Sequence, residues 1–312
     1  MTRRIRFGHQ AALAPGADPI DVARRAEVLG FDVFLVPDHV GAGRLAPMIT
    51  LAAASPGTHT IRLGTFVLNS DMRNPVQLAW EAVTLDHLSG GRFELGLGAG
   101  HTPHEYAQTG IEMRAPADRK AALAERVEVL RSLLDGHSVT VDGTSHRLDA
   151  AVLDQSHQAR LPILVGGNGA LLLQHAGVHA DIIGLQGLGR TLQDGHRHSV
   201  RWEVAHLDRQ IEQVCAGAGD RIGEIELNAL VQIVDITDDA ERAREAIASR
   251  NGDGMTAAVL AETPYALIGT VEEIADEILR ARDRWGITYF AVRALDEFAP
   301  VIERVRALEA GS

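Results

Sequence analysis

The sequence predicts an α/β fold, a (β/α)8 TIM barrel with insertions, on three observations. Short apolar runs alternate with longer stretches at helical period along the whole chain, the pattern of parallel strands joined by crossover helices. The strand-and-helix units number eight, which is the number that closes a barrel. The length of 312 residues suits one such barrel with additions, since α/β barrels of 200–250 residues or more are ordinary single domains. The expected domain is therefore 1–312, with insertions at about 101–116, 136–160 and 251–269. A doubly wound open sheet is the runner-up.

The elements follow in order. Ile5 to His9 is the first strand, and Pro19 to Leu29, with apolar residues at three- and four-residue spacing and Gly30 as its stop, is the first helix. Phe31 to Val36 is the second strand and a helix starts at about Arg44. Ile61 to Val67 is apolar and β-branched, as a strand buried on both faces should be. Pro75 opens the next helix, a favoured first-turn residue, and Ser89-Gly90-Gly91 closes it after Leu88. "RFELGLG" is strand four and Ala117 to Leu134 a helix. "HSVTVDGTSHRLD" reads as an inserted hairpin turning at Asp142-Gly143. "LPILVGG", a helix at Ala170 to Gly177 and "ADIIGLQ" resume the pattern. A helix from about Ser199 to Gly217, a seventh strand "EIELNALVQIVDI" and a helix at Asp239 to Ser249 follow. The irregular "NGDGMTAAVLAETPY" is a candidate lid with Gly252 and Gly254 as flexible points, or a plain surface excursion. A helix at Val271 to Trp285, the strand "ITYFAVRAL" and a helix from about Phe298 complete the eight units.

Composition narrows the function. A hydrophobic fraction of 46% supports a large core, and a formal charge of −12 argues against a nucleic-acid phosphate backbone as partner. No stretch of roughly 20 apolar residues offers a membrane span. The first residues lack the apolar segment of a secretory signal, and Cys215 is the single cysteine, so neither a disulfide nor a cysteine zinc site is expected. These features predict a cytoplasmic enzyme or binder of small molecules.

In a barrel the active site lies at the C-terminal strand ends. Here those ends carry His9-Gln10, Pro37-Asp38-His39, Asn69-Ser70-Asp71, Gly98-Ala99-Gly100-His101, Gly166-Gly167-Asn168-Gly169, Gln186-Gly187 and Arg293. The 14 histidines raise metal hydrolysis, but strand one lacks a His-x-His and His196-Arg197-His198 reads as a solvated helix start. No metal is expected. Asp38-His39 is either a turn capped by its Asp or an acid/base pair in which the carboxylate holds the imidazole tautomer. The glycines 166, 167 and 169 leave backbone N–H groups bare at a helix start, where an anion is favoured, so a phosphorylated ligand is expected there. His9 is expected to point into the pocket.

Together "AEVLGFDVFLVPDH" at 26–39, "IRLGTFVLNSDMRNPVQLAWEAVTLDHLSGGRFELGLGAGHTPHEY" at 61–106, "LPILVGGNG" at 161–169 and "PYALIGTVEEIADEI" at 264–278 resemble the bacterial luciferase-like monooxygenase superfamily. Within it they resemble the oxidoreductases that use the 8-hydroxy-5-deazaflavin coenzyme F-420. The resemblance implies a bulge after strand three, often with a non-prolyl cis peptide, at about Asn69-Ser70-Asp71, with the Asn69–Ser70 and Ser70–Asp71 bonds both open. It implies that the ring rests there and that Gly98 and Gly100, with Ala99, keep strand four bare beside it. It places Asp38 and His39 beside the reactive face, with His39 handling the proton, and Gly166, Gly167, Asn168 and Gly169 at the phosphate. His101 stands where the family often has Trp. The implied activity is hydride transfer between the deazaflavin and a small organic substrate, in a protein expected to form a homodimer. The alternatives are an FMN-dependent monooxygenase fed reduced flavin by a partner reductase, and a barrel that binds a flavin without turnover.

Overall fold

The structure is a computed structural model that describes residues 3–41, 43–143, 145–191, 198–251 and 255–311. Its core is a closed parallel barrel. Strands Arg6–Gln10, Val33–Val36, Arg62–Thr65, Phe93–Gly98, Ile163–Gly166, Ile182–Leu185, Glu226–Leu230 and Ile287–Val292 pair in parallel around the ring. The first strand lies between the second and the last, and Leu63 opposite Phe93 closes the circle between strands three and four. That closure depends on one glycine: a Cβ on Gly96 would lie 1.8 Å from the Thr65 carbonyl oxygen, so only glycine lets the two strands meet.

Two apolar layers result from strand alternation. Side chains facing outward join those of the helices in one continuous core. Those facing inward, Val33, Leu35, Phe66, Leu164, Ile182, Leu230, Tyr289 and Ala291, form a separate plug along the axis. Below it Arg6 bridges Glu94 at 2.7 Å and Glu226 at 2.6 Å, and Arg62 also reaches Glu94. Burial pushes the Glu94 carboxyl up, but the two guanidinium groups outweigh it and hold it below its ordinary value. The floor of the barrel is thus closed by charge pairs and the mouth is left open.

Helices Pro19–Val28, Pro47–Ala54, Pro75–Leu88, Pro116–Leu134, Ala170–His179, Val204–Ala218, Val271–Trp285 and Ala299–Ala310 wrap the barrel. The predicted Pro75 to Leu88 helix has those bounds, with Asn74 accepting from the Val76 and Gln77 amides at its start. The insertion at 101–116 contains the short helix Pro103–Thr109, and the predicted hairpin is Val139–Asp142 against Arg147–Ala151.

Three expectations need correction. The long seventh strand is two: Glu226–Leu230 stays in the barrel, whereas Ile233–Ile236 leaves it and pairs in parallel with Ala266–Gly269. Glu226–Leu230 is buried throughout and Ile233–Ile236 is half-buried with Ile236 exposed, but apolar residues recur through both, so the apolar pattern does not separate them. Second, His198–Val200 is not a helix start but a strand paired with Leu188–Thr191, and the helix begins at Val204. Third, the non-prolyl cis bond is Phe66–Val67, before the polar turn and not within 69–71. After it, Leu68–Asn69 pairs only with strand four. Gly252, Gly254 and His196 lie outside the described residues, as does the His198 side chain.

Candidate active site

The open mouth holds two adjoining lobes. One, of about 770 Å³, stands over the axial plug and is lined by Gln10, Asp38, His39, Asn69, Gln232 and Arg293 among others. The second, of about 780 Å³, runs outward past Gly98 and Gly100 to Gly166, Gly167 and Asn168. Val67, Gly100, His101, Gln186 and Leu188 line both, so the lobes form one bent cavity. Its size suits a drug-sized ligand or cofactor.

In the axial lobe, strand one presents Gln10 and not His9. Gly8 faces the barrel interior against Leu35 and Tyr289, and the period of two turns Gln10 inward and His9 outward. His9 packs on Phe31 and Phe34, and burial lowers its pKa to about 4, so it is neutral and outside the site. Gln10 donates to the Phe66 carbonyl at 2.7 Å and accepts from Arg293 at 3.0 Å. Arg293 also donates to Gln232 at 3.4 Å and has no carboxylate partner among the described residues.

Asp38 and His39 are adjacent in sequence and separate in partners. Asp38 is buried and accepts from the Asn69 amide at 2.8 Å and from Arg73. His39 is held instead by Glu105, whose Oε1 lies 2.8 Å from its Nδ1. Glu105 is buried while the His39 side chain is 41% exposed, so the carboxylate orients an imidazole that opens to the cavity. With Nδ1–H donated to Glu105, Nε2 is left as the proton acceptor. Glu105 was missed because it lies in an insertion, 66 residues along the chain; "PHEY" offers only a Pro-led helix start as a signal. His101 stacks edge-on against His39 at 5.8 Å.

The polar turn after strand three sorts the same way. Ser70 is fully buried and donates to the Gly98 carbonyl at 3.0 Å. Asp71 accepts from Tyr106 at 3.2 Å, Arg126 at 3.2 Å and Arg114. Burial pushes the Tyr106 hydroxyl up to about 12, so it stays a donor. Asn69 uses Oδ1 on the Asp71 amide at 3.1 Å, but its buried Nδ2 has no partner. The residue lines the axial lobe, and this donor is buried and unpartnered in its wall.

The outer lobe is basic in a chain of net charge −12. Arg114, Arg119, Lys120 and Arg201 line it. Lys120 donates to Asn168 at 2.9 Å, and Asn168 in turn donates to the Leu188 carbonyl at 2.7 Å. Burial first, then Arg119 and Arg201, lower the Lys120 pKa, as unneutralised like charges should. Gly169, at φ +103°, caps the helix Ala170–His179 beside Lys120. The Gly167 amide is turned to the Gly184 carbonyl at 3.5 Å, so the fit to a phosphate rests on the helix start after Gly169 and the clustered cations.

A two-lobed cavity at the mouth of a parallel barrel, polar in one lobe and basic in the other, places the ligand site of this TIM barrel at its C-terminal strand ends. Residues 3–289 match the luciferase-like monooxygenase family, and the chain belongs to it. The chain is 37% identical over 147 residues to 4-hydroxyprotoasukamycin monooxygenase of Streptomyces nodosus subsp. asukaensis, covering 43% of this chain and 38% of that protein. It is 30% identical over 221 residues to F420-dependent glucose-6-phosphate dehydrogenase of Amycolatopsis mediterranei, covering 68% and 65%. Neither alignment spans two thirds of the relative's length. Among solved structures it resembles an F420-dependent secondary alcohol dehydrogenase bound to an F420-acetone adduct, at 23% identity and TM-score 0.73 over 96% of this chain and 97% of that one. Monooxygenase RslO1 from Streptomyces bottropensis gives 21%, 0.72, 99% and 100%. The barrel fold is common to all of these structures. No helix among the described residues is long and apolar enough to cross a membrane.

Proposed function

We propose that this enzyme uses coenzyme F-420 to transfer hydride to or from a small organic substrate. The observation that carries the proposal is the bent cavity, with Asn69, whose buried Nδ2 lacks a partner, in the wall of the axial lobe and Lys120 with the Gly166 to Gly169 turn in the outer one. Those residues fit a phosphorylated tricyclic cofactor: Asn69 would hold the ring edge, Gly98 and Gly100 would leave room beside it, and Lys120 with the glycine turn would hold the phosphate. When bound, such a cofactor supplies the hydride-carrying carbon.

The chain's own residues supply orientation and the proton. His39, held through Nδ1 by Glu105, takes or gives the substrate proton at Nε2. Asp38 acts by pinning the Asn69 backbone and not as an acid. Phe66, Leu68, Trp202 and Met255 exclude water from an apolar substrate body, and Arg293 binds an oxygen on it. The second reading, an FMN monooxygenase, is favoured by the 37% identity to a monooxygenase over 147 residues. Parallel fluorescence titrations of the purified protein with oxidised coenzyme F-420 and with FMN decide between them. Selective F-420 binding that weakens in Lys120→Met supports the proposal. Selective FMN binding overturns it in favour of oxygen chemistry, and binding of neither overturns both.

A further inference from the structure

On the outer helical layer the sequence "HAGVH" places His175 and His179 four residues apart, on one face of the helix Ala170–His179. Their rings stand 4.5 Å apart, centre to centre, at 33°. From the neighbouring helix Pro116–Leu134, the Glu128 Oε2 lies 4.0 Å from His175 Nε2. One ligand atom from each of the three residues lies within 4.8 Å of the others. We infer that Glu128, His175 and His179 form a binding site for a divalent transition ion of the zinc class, distinct from the cavity at the barrel mouth.

Three arguments support it. A separation of 4.0 Å is too long for a hydrogen bond. With metal–ligand bonds of about 2.0–2.2 Å, tetrahedral geometry sets ligand atoms roughly 3.3 Å apart. Closing the His175–Glu128 gap takes less than an ångström and closing any other pair at most about 1.5 Å, and the Glu128 side chain, 64% exposed, has the freedom to move. Two imidazoles with one carboxylate select zinc, cobalt, nickel or copper over magnesium or calcium, which prefer oxygen ligands. The nearby cation Arg221 is turned to the helix end, donating to the Gly177 carbonyl at 2.9 Å and the Ala180 carbonyl at 3.2 Å, so it does not fill the site. Three protein ligands leave a fourth position for water. A bound ion would clip together the helix that carries Lys120 and the helix that follows Gly169.

The test uses full-length protein with any affinity tag removed and metal stripped by chelator, titrated with zinc chloride by calorimetry. The expected result is one tight equivalent per chain. In His175→Gln or Glu128→Gln it should weaken by more than about 100-fold, because even outer partners of metal ligands are worth about 10–100-fold. Cobalt in place of zinc should give the strong visible absorption of four-coordinate cobalt, and that absorption should vanish in the same variants. Both ligand changes are at partly exposed side chains, and circular dichroism will show that the variants fold. Zinc binding of equal strength in wild type and His175→Gln would place the ion on other histidines and overturn the proposal, as would no binding to wild type.

Discussion

Glu277 offers a test of the structure that needs no substrate. It lies on the helix Val271–Trp285, is 7% exposed, and its Oε1 has no hydrogen-bond partner. It faces a cavity of about 420 Å³ lined also by Pro264, Ala281 and Trp285. Burial pushes its carboxyl from 4.5 up to about 8, against the pull of Arg244 and Arg280. The folded state therefore keeps a proton that the unfolded chain releases above pH 4.5. Since the native state binds more protons between 4.5 and 8, stability must fall as pH rises through that window. At about 1.36 kcal/mol per pK unit, the loss between pH 5 and pH 8 is about 3 kcal/mol. An unfolding entropy of about 2.1 cal/mol/K per residue converts that to about 5 °C of Tm for a chain this long. Glu277→Gln keeps the shape and removes the titration. Its Tm measured against wild type by calorimetry should therefore gain about 5 °C between pH 5 and pH 8. Parallel Tm curves for the two proteins across that range would refute the buried, neutral carboxyl.

The remaining predictions concern both sides of the barrel wall. His9 has a folded pKa of about 4 against 6.5 unfolded, so the unfolded state binds more protons between those values and stability falls as pH drops through them; His9→Phe should remove about 2 kcal/mol of the acid loss between pH 7 and pH 4.5 in urea unfolding, and an unchanged acid loss would show that His9 is not buried neutral. Glu105→Gln removes a charge-assisted hydrogen bond of about 1.5–3 kcal/mol, so kcat should drop roughly tenfold to a hundredfold with cofactor Kd unaltered. A loss confined to cofactor Kd would move Glu105 out of the proton path. Gly100→Ala would put a Cβ 2.3 Å from the Tyr106 Oη and 2.5 Å from Asn69 Oδ1 at φ +72°, so cofactor binding should weaken with little change in the barrel's circular dichroism; full affinity would mean Asn69 does not touch the ring.

Most of the fold was legible because its signals are local. Pro75 at a helix start, glycines 90 and 91 at its end, and the strict alternation of apolar runs with helical stretches each act within a few residues. What failed was non-local. The break after Leu230 depends on Ile233–Ile236 finding Ala266–Gly269, some thirty residues on, and no residue between them announces it. The site shows the same division. That a cavity opens at the strand ends, with His39, Gly166, Gly167 and Asn168 on its wall, was readable from position. The partner of His39 was not, because Glu105 reaches it from an inserted helix, and the inward face of strand one was assigned to the more reactive residue, His9, when Gly8 and the barrel period point to Gln10.

The polar turn after strand three shows how to separate frame from chemistry at such a rim. By position alone Asn69, Ser70 and Asp71 have equal claims on a ligand, and Asp38 another. Counting donors and acceptors ranks them. Ser70 ties the turn to strand four through Gly98, and Asp38 ties it to strand two through the Asn69 amide. Asp71 gathers Tyr106, Arg114 and Arg126, which anchors the 101–116 insertion and the helix behind it. Each of those carboxylates already has a guanidinium, so drawing either to a ligand would strand a buried cation. Of these four only Asn69, a residue of the cavity wall, has a donor left over, its buried Nδ2. The concentration of polarity at the end of a buried strand is therefore mostly scaffolding that fixes one amide group in place, and the same scaffold sets Glu105, through the insertion it anchors, against His39.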